Sequence, residues 1–300
     1  MKSHPGATPP VTSHERVAMA LTPLVTILVL CAALMHATWN AIVKSDRDPL
    51  ASFGLVLIAG GILGLLVVPF VPLPAAASWK FLAASTIIHY FYYFFLLRAY
   101  AHGDLSHVYP IARGLGPTLV AIFSNALIGE RISLQSGGGV GLVSLGIIGL
   151  ALGNGWRAFG GRGTFFAILT GMTIAGYTVA DGTGVRNAGN PLSYIAWLNV
   201  VEGPWVFLVA LYLRGPALLP YLKAQWWRGS LGGVVAALGY GIAIWALSLG
   251  AMANVAALRE TSVLFAALIG TLLLGEKFGA KRVMAAMVIV AGLLLMNLPL

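Results

Sequence analysis

Apolar stretches of about 20 residues recur along this chain, separated by short segments that contain proline, glycine or charged residues. A helix of that length crosses the roughly 30 Å hydrocarbon core of a bilayer. Only 9% of the 300 residues are charged, whereas soluble domains contain about 25%, so too little polar material is present to cover a water-facing surface. The stretches also lack the alternation over about ten residues that is typical of a membrane β-barrel. The sequence therefore predicts an all-α integral membrane protein.

The breakers between the apolar stretches predict ten transmembrane helices. Residues 1–19 are polar and contain proline, so we expect a disordered N-terminal tail before the first helix. We expect the helices near residues 21–43, 50–71, 79–100, 107–128, 134–154, 163–185, 192–213, 229–249, 252–274 and 281–298.

The basic residues lie mainly in the loops between these helices, and 18 Lys and Arg outnumber 9 Asp and Glu. Basic loops beside membrane spans set orientation and contact lipid headgroups, so we expect membrane lipids as partners and no nucleic acid. Loops on the side of the N-terminus carry fewer of these residues than the opposite loops, which favours both termini outside the cell. Cys31 is the only cysteine, which excludes an internal disulfide or thiolate metal cluster.

An internal repeat relates residues 98–133 to residues 245–279. The alignment pairs Gly103 with Gly250 and, after a one-residue deletion, the Gly-Glu pair at 129–130 with that at 275–276. Each copy is followed by one more span, so the predicted plan is five helices in 20–155 and five in 156–300. An odd number of spans inverts the second copy in the bilayer, and inverted repeats around a midplane site are typical of secondary transporters.

Three motifs resemble the drug/metabolite transporter superfamily: "HATWN…K" (36–44), "GDLSHVYPIARGLGP" (103–117) and the paired Gly-Glu helix ends. The chain is most similar to the EamA-type ten-helix transporters, and among these to the bacterial exporters of aromatic and other amino acids. The resemblance implies two five-helix repeats around a central cavity lined by the first, third, fourth, sixth, eighth and ninth helices. It also implies export of small metabolites across the inner membrane. The second repeat carries "GAMAN" and "AALRE" in place of "GDLS" and "YPIAR", so the halves present different chemistry.

Polar side chains on the first helix share one face. His36 and Asn40 are four residues apart with Trp39 between them. A polar face within a bilayer points toward protein or a water-filled cavity. These residues are therefore predicted either to contact the substrate or to hold neighbouring helices by hydrogen bonds.

The third helix carries an aromatic and histidine face. His89, Tyr93 and Tyr100 follow at helical spacing, and Tyr90 lies three residues before Tyr93. Tyrosine combines an apolar ring with one hydroxyl, which suits a pocket for a small amphiphile. The alternative is a core aromatic stripe without ligand contacts.

Arg113 is predicted about two turns inside the fourth helix, where burial costs several kcal/mol unless the charge is paired or hydrated. It either binds a substrate carboxylate or joins a buried network with Arg259 and Glu260. Asp181 is another candidate acid, and it lies one turn after Tyr177 on the sixth helix.

Two further features concern the helices around the expected cavity. Pro110 and Pro117 predict that the fourth helix is kinked or broken, which exposes backbone groups to a cavity. Tyr240 and Ser248 are expected to line the cavity from the eighth helix. Glu202 is assigned a structural role, because the resemblance places the seventh helix away from the cavity.

These observations predict a transporter and not an enzyme, with no cofactor, no metal and no nucleotide-binding loop. We expect a monomer that exports amino acids or similar small metabolites across the inner membrane by alternating access. The alternatives are a drug or nucleotide-sugar carrier of the same superfamily, or a membrane transferase built on the turn with His102, Asp104 and His107. The predicted substrate-binding residues are His36, Trp39, Asn40, His89, Tyr90, Tyr93, Tyr100, Arg113, Tyr177, Tyr240 and Ser248, and the predicted buried polar network is Asp181, Arg259 and Glu260.

Overall fold

The computed structural model describes the backbone of residues 21–103, 105–151, 161–274 and 280–297. The description does not include the predicted N-terminal tail, residues 152–160 between the fifth and sixth helices, Asp104 of the turn after the third helix, or the second Gly-Glu pair at 275–276. Within the described part of the chain the regular structure is helical, with no β-strand.

Eleven α-helices are present among the described residues. They are α1 (Pro23–Lys44), α2 (Pro49–Val67), α3 (Ala76–His102), α4 (Leu105–Ile128), α5 (Leu134–Ala151), α6 (Arg162–Arg186), α7 (Pro191–Arg214), α8 (Leu218–Leu249), α9 (Met252–Glu260), α10 (Ser262–Leu274) and α11 (Ala280–Asn297).

Seven segments of the described chain are long and apolar enough to cross a membrane. One of them, Pro191–Leu249, contains both α7 and α8, and another, Met252–Ile269, contains α9 and part of α10. Two shorter apolar helical segments, Leu134–Leu150 and Val283–Met296, lie in α5 and α11. The predicted all-helical class with several membrane-capable helices is confirmed.

Two helix boundaries differ from the sequence prediction. The eighth helix begins at Leu218, eleven residues before the expected start at 229. The ninth predicted span is two helices, because the chain tightens at Thr261: its N–H reaches the Leu258 carbonyl oxygen at 3.2 Å and its carbonyl oxygen accepts from the Leu264 N–H at 2.8 Å. Bonds of this i to i−3 type interrupt the regular α-helical pattern.

The fourth helix is continuous through both of its prolines, so of the two predicted alternatives, a kink or a break, the break is absent. Pro110 and Pro117 are buried. A proline removes one backbone hydrogen bond, but neighbouring helices allow a membrane helix to continue past it.

Contacts between helix ends define two faces of the bundle. On face A, the Ala75 N–H before α3 donates to the Ala188 carbonyl oxygen after α6 at 3.0 Å. On face B, Arg214 at the end of α7 pairs with Asp48 before α2 at 2.6 Å. Consecutive long helices connect these faces in alternate directions, so α1 begins at face A and α6 begins at face B.

Close helix packing depends on small residues. The pairs α2–α7 and α5–α11 pack along their lengths, as do α3–α6 and α1–α8. At the α5–α11 contact, a Cβ on Gly139 would lie 2.6 Å from the Gly292 carbonyl oxygen. All nine residues of α9 are buried, and this short helix packs against α4 and α1. It brings its charged end into the centre of the bundle.

Candidate functional site

A buried ion pair joins α4 to α9. The Nε atom of Arg113 lies 2.6 Å from Oε2 of Glu260, and both side chains are at most 3% exposed. Nη2 of Arg113 also donates to the Ser262 hydroxyl at 3.1 Å. Two charges removed from water need such close pairing to offset their desolvation. The structure therefore places Arg113 in the ion pair that the sequence offered as one of its two roles.

Arg259 is less well compensated than Arg113. Its Nη2 atom lies 3.4 Å from Oε1 of Glu260 and donates to the Tyr177 hydroxyl at 3.3 Å. Its guanidinium carbon lies 5.6 Å from the ring centre of Tyr177 and 5.9 Å from that of Tyr240. The buried Nε atoms of both arginines lack an aligned hydrogen bond among the described residues, but the Nε of Arg113 lies 2.6 Å from a Glu260 oxygen, whereas the shortest distance from Arg259 to Glu260 is 3.4 Å. Two guanidinium groups thus share one carboxylate, which leaves this part of the bundle positively charged.

A second polar cluster lies beside the arginines. Nδ1 of His89 lies 2.8 Å from Oε1 of Glu202, and the His89 ring stacks on Tyr177 at 3.9 Å between centres. Asp181 is fully buried. It accepts hydrogen bonds from the Tyr194 hydroxyl at 3.0 Å and from the Tyr240 hydroxyl at 2.5 Å. We call His89, Asp181 and Glu202 the acid–histidine cluster.

An aromatic row extends from α1 to the acid–histidine cluster. The ring of His36 contacts Trp39 at 5.1 Å, and Trp39 stacks on Phe53 at 5.7 Å. Phe53 then meets Tyr93 edge to face at 5.3 Å, and Tyr93 lies 6.2 Å from His89. Aromatic surfaces of this kind accommodate apolar ligand groups.

The remaining predicted binding residues lie in different surroundings. Tyr90 stacks on Trp205 of α7 at 4.8 Å, and Tyr100 is 38% exposed. The Asn40 amide donates to the His36 carbonyl oxygen one turn earlier, at 2.8 Å. The Ser248 hydroxyl donates to the Trp245 carbonyl oxygen at 2.6 Å. The structure does not bring these four side chains into the central group, and their roles in binding stay predictions.

The two described histidines of the turn after α3 have other partners. Nδ1 of His102 lies 2.9 Å from the Arg98 carbonyl oxygen, and Nε2 of His107 lies 3.1 Å from the Thr164 hydroxyl of α6. Among the described residues, no group of three histidine, cysteine, aspartate or glutamate side chains is placed to hold a metal.

An ion pair between Glu130 and Arg186 lies at face A. The two side chains meet at 2.6 Å, and the other Glu130 oxygen accepts from the Met252 N–H at 2.6 Å. Arg186 also donates to the carbonyl oxygens of Leu247 and Gly250, at 2.8 and 2.7 Å. These bonds join the ends of α4, α6 and α8 to the start of α9.

Two cavities lie near the faces of the bundle. One of about 580 Å³ is bordered by Thr118, Asn125 and Glu130 between α4 and α5. Another, of about 450 Å³, is bordered by Asp46, Tyr221 and other residues at face B. Neither of these cavities is lined by the predicted substrate-binding residues, which pack against one another in this conformation.

Comparison with known proteins identifies the fold and the family. Residues 23–152 and residues 161–298 each match the EamA-like transporter family. The chain belongs to the EamA-like transporter family. Membership supports a membrane solute transporter and not an enzyme.

Two individual proteins resemble this EamA-like transporter. A chloroplastic WAT1-related protein of Arabidopsis thaliana is 23% identical over 288 residues, which cover 87% of this chain and 67% of that protein. A protein of known crystal structure is 18% identical and superposes with a TM-score of 0.71, covering 91% of this chain and 97% of the other. That likeness concerns the fold alone.

Three residues of this EamA-like transporter enter the site without having been predicted there. Glu202 was visible as an acid inside an apolar span, but its helix was placed away from the centre. Phe53 and Tyr194 carry no local sequence signal, because single aromatic residues are common in buried helices. Their contacts arise only when α2 and α7 pack against their neighbours.

Proposed function

We propose that this protein is a secondary transporter that exports amino acids, or similarly small amphiphilic carboxylates, across the bacterial inner membrane. One observation carries the proposal: the buried Arg259 guanidinium lies against two tyrosine rings and approaches Glu260 only to 3.4 Å. Its Nε–H group has no hydrogen-bond partner among the described residues. A buried donor without a partner is costly, and a substrate carboxylate supplies the missing acceptor and charge. The apolar part of the substrate then lies toward the row of Trp39, Phe53 and Tyr93.

The packing of the helices supports two inverted repeats of five spans, within 20–155 and 156–300. With α9 and α10 counted as one span, the five helices of the first half correspond in order to the five spans of the second half. If each helix is replaced by its equivalent in the other half, the α3–α6 contact becomes the α8–α1 contact. The same exchange leaves the α2–α7, α4–α9 and α5–α11 contacts unchanged, and all of these pairs are packed together. Equivalent helices also run in opposite directions, since α1 begins at face A and α6 at face B. Substrate sites of such transporters lie between the repeats near the midplane.

The size and charge of the site favour a small substrate. A nucleotide sugar carries a diphosphate, which requires several uncommitted basic groups. Arg113 is already paired with Glu260 at 2.6 Å, so Arg259 is left to bind one negative charge. This difference supports an amino acid or a similar monocarboxylate over a nucleotide-linked substrate.

Alternating access requires that the site open to one face at a time. The Glu130–Arg186 pair joins helix ends at face A, and α9, which begins there, is buried; both observations support a conformation closed at that face. We infer that the two repeats rock about the central site, so that these contacts break when face B closes. The closing contacts and the proposed rocking involve only residues of one chain, which fits a monomeric transporter in lipid.

Transport by purified protein in liposomes tests this function. We expect saturable uptake of several labelled amino acids, with no uptake by protein-free liposomes. Amino-acid methyl esters, which lack the carboxylate, should compete poorly with the parent compounds. If no labelled amino acid is taken up, or if esters and acids compete equally, the proposed substrate class is wrong.

A further inference from the structure

We propose that the acid–histidine cluster is a proton-binding site and that a proton bound there is exchanged for substrate during transport. The proton-binding part stands on the geometry of the cluster alone. The exchange part rests on the proposed function.

The cluster is enclosed by four helices and is almost completely buried. His89 comes from α3, Asp181 from α6 and Glu202 from α7, and they are 5%, 0% and 7% exposed. Tyr240 of α8 contacts both His89 and Asp181. Ionisable groups inside a membrane span are rare, and chains of acids and histidines are typical of proton pathways.

Short polar contacts connect the members of the cluster to one another and to the neighbouring tyrosines. Each oxygen of Asp181 lies within hydrogen-bond distance of a tyrosine hydroxyl, at 3.0 Å for Tyr194 and 2.5 Å for Tyr240. The Tyr240 hydroxyl, which contacts Asp181, also lies 3.5 Å from Nε2 of His89. Nδ1 of His89 lies 3.0 Å from the Ser85 carbonyl oxygen, which only accepts. Both ring nitrogens of His89 thus have polar partners inside the bundle.

Glu202 is the carboxyl group that receives the proton in the proposed site. Its Oε1 lies 2.8 Å from Nδ1 of His89, yet it forms no aligned hydrogen bond within the described structure. Nδ1 also lies near the carbonyl oxygen and the hydroxyl of Ser85, at 3.0 and 3.3 Å. The cluster thus holds two carboxyl groups and one imidazole inside the membrane, and the repulsion between two buried carboxylates favours the uptake of a proton.

The groups that face the cluster from the surrounding helices are otherwise neutral or belong to the substrate site. His89 contacts Tyr92 and Tyr93 of its own helix. Neighbouring elements contribute Tyr177 from α6, Tyr194 from α7, Tyr240 from α8 and, through the tyrosines, Arg259 from α9.

Shared tyrosines connect the proton site to the substrate site. Tyr177 and Tyr240 each contact His89 on one side and Arg259 on the other. A proton from water at one face forms an O–H bond at Glu202 and weakens the attraction between α3 and α7. It returns to water when the cluster opens to the other face. Because α3 belongs to the first half and α6, α7 and α8 to the second, this step changes contacts between the parts that must move.

Infrared difference spectroscopy of purified protein tests proton binding without any substrate. On acidification, we expect the wild type to gain a C=O stretching band of a protonated carboxyl group. The Glu202→Gln variant should lose this band, whereas Glu202→Asp, which keeps a carboxyl group, should retain a shifted one. Asp48→Asn is the matched control: Asp48 lies outside the spans, the Arg214 guanidinium holds its pKa below the ordinary value, and asparagine still caps α2. An unchanged band in Glu202→Gln would overturn the proposal.

Proton movement in liposomes tests the exchange. A trapped pH-sensitive dye should report proton flux when an amino-acid gradient is imposed on the wild type. Glu202→Gln and Asp181→Asn should reduce that flux at least tenfold but retain exchange of labelled for unlabelled amino acid. Equal proton flux in wild type and Glu202→Gln rules out exchange through this cluster. If the wild type transports no amino acid, the proposed function fails, and the infrared titration still decides whether the cluster binds a proton.

Discussion

At the scale of single residues, two buried arginines beside Glu260 differ in how closely they pair with its carboxylate. The Nε atom of Arg113 lies 2.6 Å from a Glu260 oxygen, whereas Arg259 approaches the same carboxylate only to 3.4 Å. Removal of one partner of a closely paired buried ion pair destabilises the fold, because the other charge is left uncompensated. A weakly paired one keeps its attraction for an external anion. We therefore propose a structural role for Arg113 and a substrate-binding role for Arg259, the reverse of the roles in the predicted residue sets.

Substitution of Arg259 separates these roles. We expect Arg259→Gln to raise the KM for amino-acid uptake at least tenfold, a loss of about 1.4 kcal/mol of binding free energy, while the protein remains monodisperse. Arg259→Lys should retain part of the affinity, because it keeps the charge but not the planar fork. Kinetics of liposome uptake measure both effects.

The matched comparison is Arg113→Gln, which leaves Glu260 buried without its close partner. Such a change costs about 3–5 kcal/mol, so a lower thermal unfolding temperature is expected. Arg214→Gln, in a half-exposed ion pair with Asp48, should change stability by no more than about 1 kcal/mol. An unchanged KM in Arg259→Gln would remove this residue from the binding site.

At the scale of helices, the break at Thr261 determines where the central charges lie. Arg259 and Glu260 end α9, and Ser262 begins α10. A cation near a helix C-terminus is favoured by the helix dipole. The break thus ends a short buried helix at the position where Glu260 meets Arg113 of α4.

The contact between α5 and α11 provides a test of helix packing. A Cβ at Gly139 would lie 2.6 Å from the Gly292 carbonyl oxygen, whereas a Cβ at Gly141 meets nothing within 4 Å among the described atoms. We expect Gly139→Ala to destabilise the protein by about 1–3 kcal/mol through overpacking. Gly141→Ala should be neutral or slightly stabilising, because alanine favours helix over glycine. Thermal unfolding in detergent measures the difference, and equal midpoints would contradict this packing.

At the scale of the whole molecule, both central clusters combine residues from the two halves. Arg113 of the first half binds Glu260 of the second, and His89 of the first half meets Glu202 of the second. Relative motion of the halves therefore changes both sites together. The Ala75–Ala188 bond at face A also crosses between the halves.

A crosslink at face A tests this motion. In a Cys31→Ala background, we expect oxidation of the pair Ala75→Cys and Ala188→Cys to stop amino-acid uptake, because the halves are then held closed at face A. A reducing agent should restore uptake, and either single cysteine variant should be insensitive to oxidation. Full uptake by completely crosslinked protein would show that face A does not open.

The sequence by itself determined the class of the protein and identified the charged side chains that need a partner or a ligand inside the membrane. Apolar stretches of membrane-spanning length predicted the helical membrane fold, and charges such as Arg113, Asp181 and Glu260 stood out one at a time because burial of a charge is costly. The break at Thr261 and the continuity of α4 were not predicted, because helix boundaries depend on packing as well as local preference.

Only the tertiary structure decided which of these groups meet. Helical periodicity places Tyr90 and Tyr93 near one face, yet Tyr90 stacks on Trp205 while Tyr93 joins the central aromatic row. Glu202 received a structural role from sequence and lies 2.8 Å from His89 in the structure. The physical reason is that a helix's own periodicity orders its side chains around its axis, whereas the rotation of that helix and the identity of its neighbours follow from packing of the whole bundle.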